Sequence, residues 1–166
     1  MGPFGTTFER LRIVILPMMF LAAASVSDVS NAQKAKTSEL DAVRAANEAF
    51  YSALSARNIP ALQKVWSSDA EIQNIGPRSK SIDVGWDAQK KGYDAVYDAF
   101  PELKVSMPEP KIKVNGTTAW VSGIEHAQRK TKTGESVSGT NLGTSIFVKQ
   151  GGKWRMVYNH ASAIPR

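Results

Sequence analysis

The sequence predicts an α+β domain in which N-terminal helices pack on a strongly curved antiparallel sheet. Three observations carry this. Apolar residues recur at helical spacing as far as Phe100, the period changes to two after Pro101, and three turn signals divide the C-terminal part of the chain into strands. Those signals are Asn115-Gly116, Thr133-Gly134 and Gly151-Gly152, pairs that tolerate the positive φ of tight hairpins. A length of 166 residues suits one core and not two.

The helices come first. Ser38-Glu39-Leu40-Asp41 reads as a capping box, and Leu40, Val43, Ala46, Phe50 and Leu54 then form one apolar face that ends at Arg57-Asn58. Pro60 fits the first turn of a short second helix that turns Leu62, Val65 and Trp66 inward. Residues 69–75 alternate and predict a first strand. A third helix, capped by Asp83 or Gly85, carries Trp86, Tyr93, Val96, Tyr97 and Phe100 on one face and stops at Pro101. The hairpin signals place strands over 105–114, 117–131, 135–149 and 153–162, with Gly123, Gly139 and Gly143 marking bulges or bends inside them.

Residues 1–32 read as an address. Arg10 and Arg12 precede an apolar run from Ile13 to Ala24, and Ser30-Asn31-Ala32 offers a small-x-small site, which together describe a secretory signal peptide cleaved after Ala32. A spanning helix needs roughly 20 apolar residues, and this run is shorter and contains Pro17, so stable membrane insertion is not expected after cleavage. The mature domain is then 33–166, exported to the periplasm or secreted.

Composition excludes several classes. With no cysteine, disulfides, thiol catalysis and cysteine-bound zinc drop out, and two histidines are too few for a dedicated metal site. The net charge of +6 is scattered, its densest groups being Lys90–Lys91 and Arg129, Lys130 and Lys132. No basic stripe or stacking platform for nucleic acid is present. No phosphate loop or nucleophile elbow occurs, so no cofactor is expected.

Several segments resemble the nuclear transport factor 2-like superfamily, which includes SnoaL-like polyketide cyclases, ketosteroid isomerases, scytalone dehydratase and the calmodulin-kinase association domain. The likeness covers roughly residues 38–163. It rests on Val43–Ala61 followed by Leu62–Trp66 and Asp69-Ala70, on Gly85-Trp86-Asp87, on Thr118–Val121, and on Phe147 with the run Gly152–Ser162. The closing Gly-x-Trp-x-x-x-x-x-His-x-Ser pattern is specific for the fold and not for a reaction. The resemblance implies a cone-shaped domain of three helices on a curved sheet, a deep pocket, and homodimers built through the outer sheet face.

Strand alternation then sorts candidate site residues. On the last strand Trp154, Met156, Tyr158, His160 and Ser162 share a face that the resemblance turns toward the helices. On the second long strand Ala119, Val121, Gly123 and Glu125 lie opposite Trp120, Ser122, Ile124 and His126. The expectation is a Glu125–His160 pair in an apolar cavity with the phenols of Tyr93, Tyr97 and Tyr158. Trp66, Trp86, Phe100 and Phe147 form walls, and Asn141 and Ser145 share the Phe147 face. A buried glutamate beside an imidazole suits proton transfer near neutral pH, and phenols suit a developing oxyanion. The chemistry would be isomerisation, dehydration or cyclisation of a small apolar molecule. The alternative is a non-catalytic ligand-binding or oligomeric assembly module, in which Glu125 and His160 satisfy structural hydrogen bonds.

Overall fold

The computed structural model describes residue 2 and residues 23–165. Three helices and seven strands occur among them: α1 Ala23–Ser55, α2 Ile59–Val65, β1 Gln73–Ile75, β2 Asp83–Val84, α3 Gly85–Ala99, β3 Glu102–Ser106, β4 Lys111–Asn115, β5 Thr118–Lys130, β6 Ser136–Gln150 and β7 Lys153–Ala163. Most of the predicted address lies outside the described residues. No described helix is long and apolar enough to cross a membrane.

Helix α1 begins before the predicted cap. No Gly or Pro interrupts Ala23–Ser55, so Ser38 sits inside the helix and the capping box does not form. Side chains 30–38 are exposed, and packing starts at Glu39, whose carboxylate accepts from Lys149 Nζ and from Trp154 Nε1 at 2.9 Å. The predicted end is present. Arg57 takes φ 56°, and Asn58 N–H donates to Ala53 O at 3.0 Å, closing the terminus. Arg57 also donates to Tyr97 O and Pro101 O, both at 2.8 Å, which ties the end of α1 to the end of α3. Asn58 Oδ1 accepts from Ala61 N–H at 3.0 Å and caps α2. At α3 neither Asp83 nor Gly85 is the cap. Val84 holds that position without a side-chain bond, Asp83 lies in β2, and Gly85, at φ +77°, donates its N–H to Ile72 O.

The sheet runs β2-β1-β7-β6-β5-β3, with β4 also on β5. It is mixed, not antiparallel throughout. The chain leaves α2 alongside β7 in the same direction, bridging Trp66 to Met156 and then pairing Gln73–Ile75 in parallel with Tyr158–His160. The predicted strand 105–114 is two strands. Met107-Pro108-Glu109-Pro110 interrupts it because proline cannot donate to a ladder, so β3 pairs with 126–130 and β4 with 118–122 of β5. Met107 turns inward at the break. It lies over Gly123 and Gly143, which face each other across β5–β6, and a Cβ at Gly143 would meet Met107 Cε at 2.8 Å. These glycines therefore make room for Met107 and do not mark bulges.

The bulge lies elsewhere. Ile146 pairs with Tyr158 but Phe147 pairs with Met156, leaving Val157 as the extra residue of β7. A one-residue insertion reverses the facing of every later side chain. Trp154 and Met156 are buried before it, and Asn159 and Ala161 after it. The core between helices and sheet is built on Val43, Phe50, Leu62, Ile72, Val121, Phe147 and Met156. Burying each such side chain contributes about 1.5–3 kcal/mol.

Candidate functional site: a cavity around Glu125

On the inner face of β5, Ala119, Val121, Glu125 and Ala127 are buried, as the alternation predicts. Glu125 is 4 % exposed and lines a cavity of about 180 Å³ between the helices and the sheet. Phe50, Leu54, Val96, Phe100, Leu103 and Ala161 supply apolar wall. The volume suits a compact molecule, below the roughly 300–1,000 Å³ of drug-sized sites.

Both carboxylate oxygens of Glu125 are held. Tyr51 OH on α1 donates to Oε1 at 2.8 Å, and Asn141 Nδ2, directly across the ladder on β6, donates to Oε2 at 3.1 Å. Burial first, then the charge of Glu125, pushes the Tyr51 phenol far above its ordinary pKa, so it stays a proton donor. Gly143 keeps space beside this carboxylate, since a Cβ there would stand 2.9 Å from Glu125 Oε1.

A second polar row crosses the same face. Ser145 Oγ donates to Asn159 Oδ1 at 2.9 Å, and Asn159 Nδ2 donates to Asn74 Oδ1 at 3.0 Å. Asn74, Asn159 and Asp83 all line the cavity, and Asn74 Nδ2 has no acceptor among the described residues. Asn74 pairs with Asp83 on one side and Asn159 on the other, so the row continues to β2.

The expected Glu125–His160 pair does not form. Because Val157 is bulged, Tyr158, His160 and Ser162 face outward, where His160 Nε2 meets Ser162 Oγ at 3.1 Å and its ring lies against Tyr158. Among the other expected residues, Tyr93, Phe100 and Asn141 line the cavity. Trp66, Trp86, Tyr97, Ser145 and Phe147 do not, and each has a packing or bonding role. Trp66 Nε1 donates to Tyr93 OH at 3.1 Å, Trp86 packs on the Tyr93 ring, and Phe147 fills the core. Tyr97 OH donates to Leu54 O under the Arg57 guanidinium, and burial pushes its phenol up to about 12. Sequence reasoning missed Tyr51, Asn74 and Asn159. Tyr51 follows Phe50 on the helical face, a position that its helical period could have flagged. The two asparagines turn inward only through the bulge and the parallel β1–β7 pairing.

No group of three or more potential metal-ligating side chains comes together among the described residues. The cavity is thus a protein-lined pocket with the buried carboxylate of Glu125, held by a phenol that is not itself part of the lining, the Asn74 amide and Arg129 at its edge.

Helices packed on a mixed sheet is an arrangement shared with solved NTF2-like structures. A candidate dehydratase of the NTF2-like family from Streptomyces avermitilis is 19% identical, with a TM-score of 0.71, over 78% of this chain and 99% of that one. A ketosteroid isomerase-like protein from Erwinia carotovora atroseptica is 21% identical, with a TM-score of 0.67, over 77% and 98%. The CaMKII hub of S. rosetta is 19% identical, with a TM-score of 0.65, over 75% and 96%. At these identities the likeness establishes the fold. None of the curated proteins matches this chain in sequence. The model of the SnoaL-like domain matches residues 43–166, and the chain belongs to that family.

Proposed function

We propose that this chain is an exported protein that binds a small, largely apolar molecule in the Glu125 cavity and moves a proton on it without a cofactor. The observation that carries this reading is the Glu125 carboxylate, buried at a cavity whose wall is apolar on one side and amide-lined on the other, and fixed by Tyr51 and Asn141. A carboxylate so placed can take a proton from a carbon next to a carbonyl. The electron pair then passes to the carbonyl oxygen, which the free Asn74 amide can receive, and the proton returns at another carbon. Isomerisation ends with that return, whereas in dehydration the same enolate expels a β-hydroxyl as hydroxide, which takes the proton held by Glu125 and leaves as water. The neighbours described as dehydratase and ketosteroid isomerase-like agree with this class.

The test is solvent exchange. A panel of enolisable carbonyl compounds is incubated with the purified protein in D2O and deuterium uptake is followed by NMR. Glu125→Gln is expected to lower uptake about 10²-fold or more. Uptake that persists unchanged in the variant removes the proton-transfer role.

A homodimer through the outer sheet face belongs to the same reading. Trp120, Ile146 and Tyr158 stand side by side across β5–β7, and Ile124 and Leu142 form the next apolar pair. Trp120 is 43 %, Ile124 41 % and Leu142 57 % exposed, an apolar patch of the kind that marks association. Hub domains among the similar structures point the same way. Export rests on Arg10, Arg12 and the apolar run, and the protein recovered from its host is expected to begin at Gln33.

A further inference from the structure

Among the described residues, Arg129 is the cation of its segment that has no acidic partner. Its neighbours Lys130 and Lys132 pair with Glu102 and Asp98 at 3.0 and 2.7 Å. Among the described residues neither Arg129 nor Arg78 makes a salt bridge, and burial first, then the charge of Arg78, lowers the Arg129 pKa. A half-buried guanidinium with no acidic partner among the described residues is disfavoured relative to an exposed one, and an anion at Arg129 would offset that cost.

The geometry readies Arg129 for such an anion. Its guanidinium lies over the Phe100 ring, 5.3 Å from the centroid, which fixes the plane of the fork. Nε is buried and has no acceptor among the described residues. Gly139 stands beside Nη2, where an added Cβ would come within 3.4 Å, so the flank of the fork carries no side chain. Arg129, Pro77 and Asn141 line both the Glu125 cavity and an adjoining groove of about 350 Å³ that includes Arg78 and Thr140. The groove and the Glu125 cavity therefore adjoin, with Pro77, Arg129 and Asn141 at their shared boundary. Along β5, Arg129 lies four residues beyond Glu125, about 13 Å at strand rise.

We propose that Arg129, with Arg78 beside it, binds the carboxylate of a small organic acid whose apolar body enters the Glu125 cavity. The inference rests on reading that cavity as a ligand site and adds the class of ligand. A bidentate Arg129–carboxylate pair at the mouth sets the acid's orientation, and the four-residue offset keeps its charge away from Glu125. An uncharged analogue of the same shape loses the anchor.

The experiment compares aliphatic and aryl carboxylates, from butyrate to octanoate and phenylacetate, with their primary amides by calorimetry on the purified protein. At least one acid is expected to bind about tenfold or more tighter than its amide. Arg129→Gln is expected to abolish that preference, Arg129→Lys to restore part of it, and Arg78→Gln to weaken it severalfold. Thermal melts of each variant confirm folding. Equal binding of acid and amide, both lost when Ala161→Trp fills the cavity, overturns the anion site and leaves the Glu125 pocket standing. Acid preference unchanged in folded Arg129→Gln also overturns it. No binding by any member overturns both readings.

Discussion

Tyr51 on α1 and Glu125 on β5, 74 positions apart, share a 2.8 Å hydrogen bond in which the phenol donates to the carboxylate. This contact joins the helical layer to the sheet at the cavity. Tyr51→Phe keeps the ring and removes the donor, leaving Oε1 without its protein partner. Stability is expected to fall by about 1–3 kcal/mol in urea unfolding, because a buried charged acceptor loses its bond.

Gly143 tests how closely the site is fitted. Alanine there would meet Glu125 Cγ and Oε1 at 2.9 Å and Met107 Cε at 2.8 Å. Met107 can swing away, but Glu125 is held on both oxygens. Gly143→Ala is expected to cost about 1–3 kcal/mol and to weaken ligand binding together with stability. A neutral outcome in both would mean that Glu125 is freer than its bonds imply.

Stability should also depend on Glu39. Its carboxyl is held below the ordinary value of 4.5 by hydrogen bonds from Lys149 and then Trp154. A carboxyl whose folded pKa is lowered stabilises the fold above the unfolded value, and that contribution is lost as pH falls through the folded value. Urea midpoints measured from pH 7 down to 3 are expected to decline less steeply in Glu39→Gln than in the parent. Identical profiles would contradict the role of this pair.

Much of this architecture is written locally in the chain. The Gly151-Gly152 turn, with φ of 55° and 76°, is a two-residue hairpin as its sequence implies, and the inner face of β5 follows simple alternation. The split of β3 from β4 had a signal too, since Pro108 and Pro110 fall inside the predicted strand. The bulge at Val157 had none. Met156-Val157-Tyr158 contains no glycine or proline, and the extra residue is defined only by how β7 registers on β6. That single residue decides that Asn159, and not His160, enters the cavity. The inward facing of Tyr51 had a helical signal but its partner had none: Glu125 lies on a strand, and helical spacing does not say which strand a helix covers.

The outer face makes an assembly prediction. Trp120→Glu or Leu142→Glu puts a charge where an apolar partner surface would sit, while facing away from Glu125. Light scattering after size exclusion is expected to show a dimer for the parent and a monomer for either variant, with the fold retained by circular dichroism. A monomeric parent would refute the dimer.

Asn47 and Gln89 are buried with no hydrogen-bond partner for their amides among the described residues. Burying an unbonded amide costs about 1–3 kcal/mol. Gln89→Met and Asn47→Leu are therefore expected to leave stability unchanged or raise it by about 1 kcal/mol in urea unfolding.

The most direct test of the central claim is a crystal structure of the protein purified from its own host, with attention to the cavity between α1, α3 and β5. The expected result is density for a small molecule touching Glu125, with Asn159 beside it, His160 outside and an acidic end at Arg129. A cavity closed by Phe100 or Val96, or a β7 without the Val157 bulge that turns His160 inward, would contradict that claim.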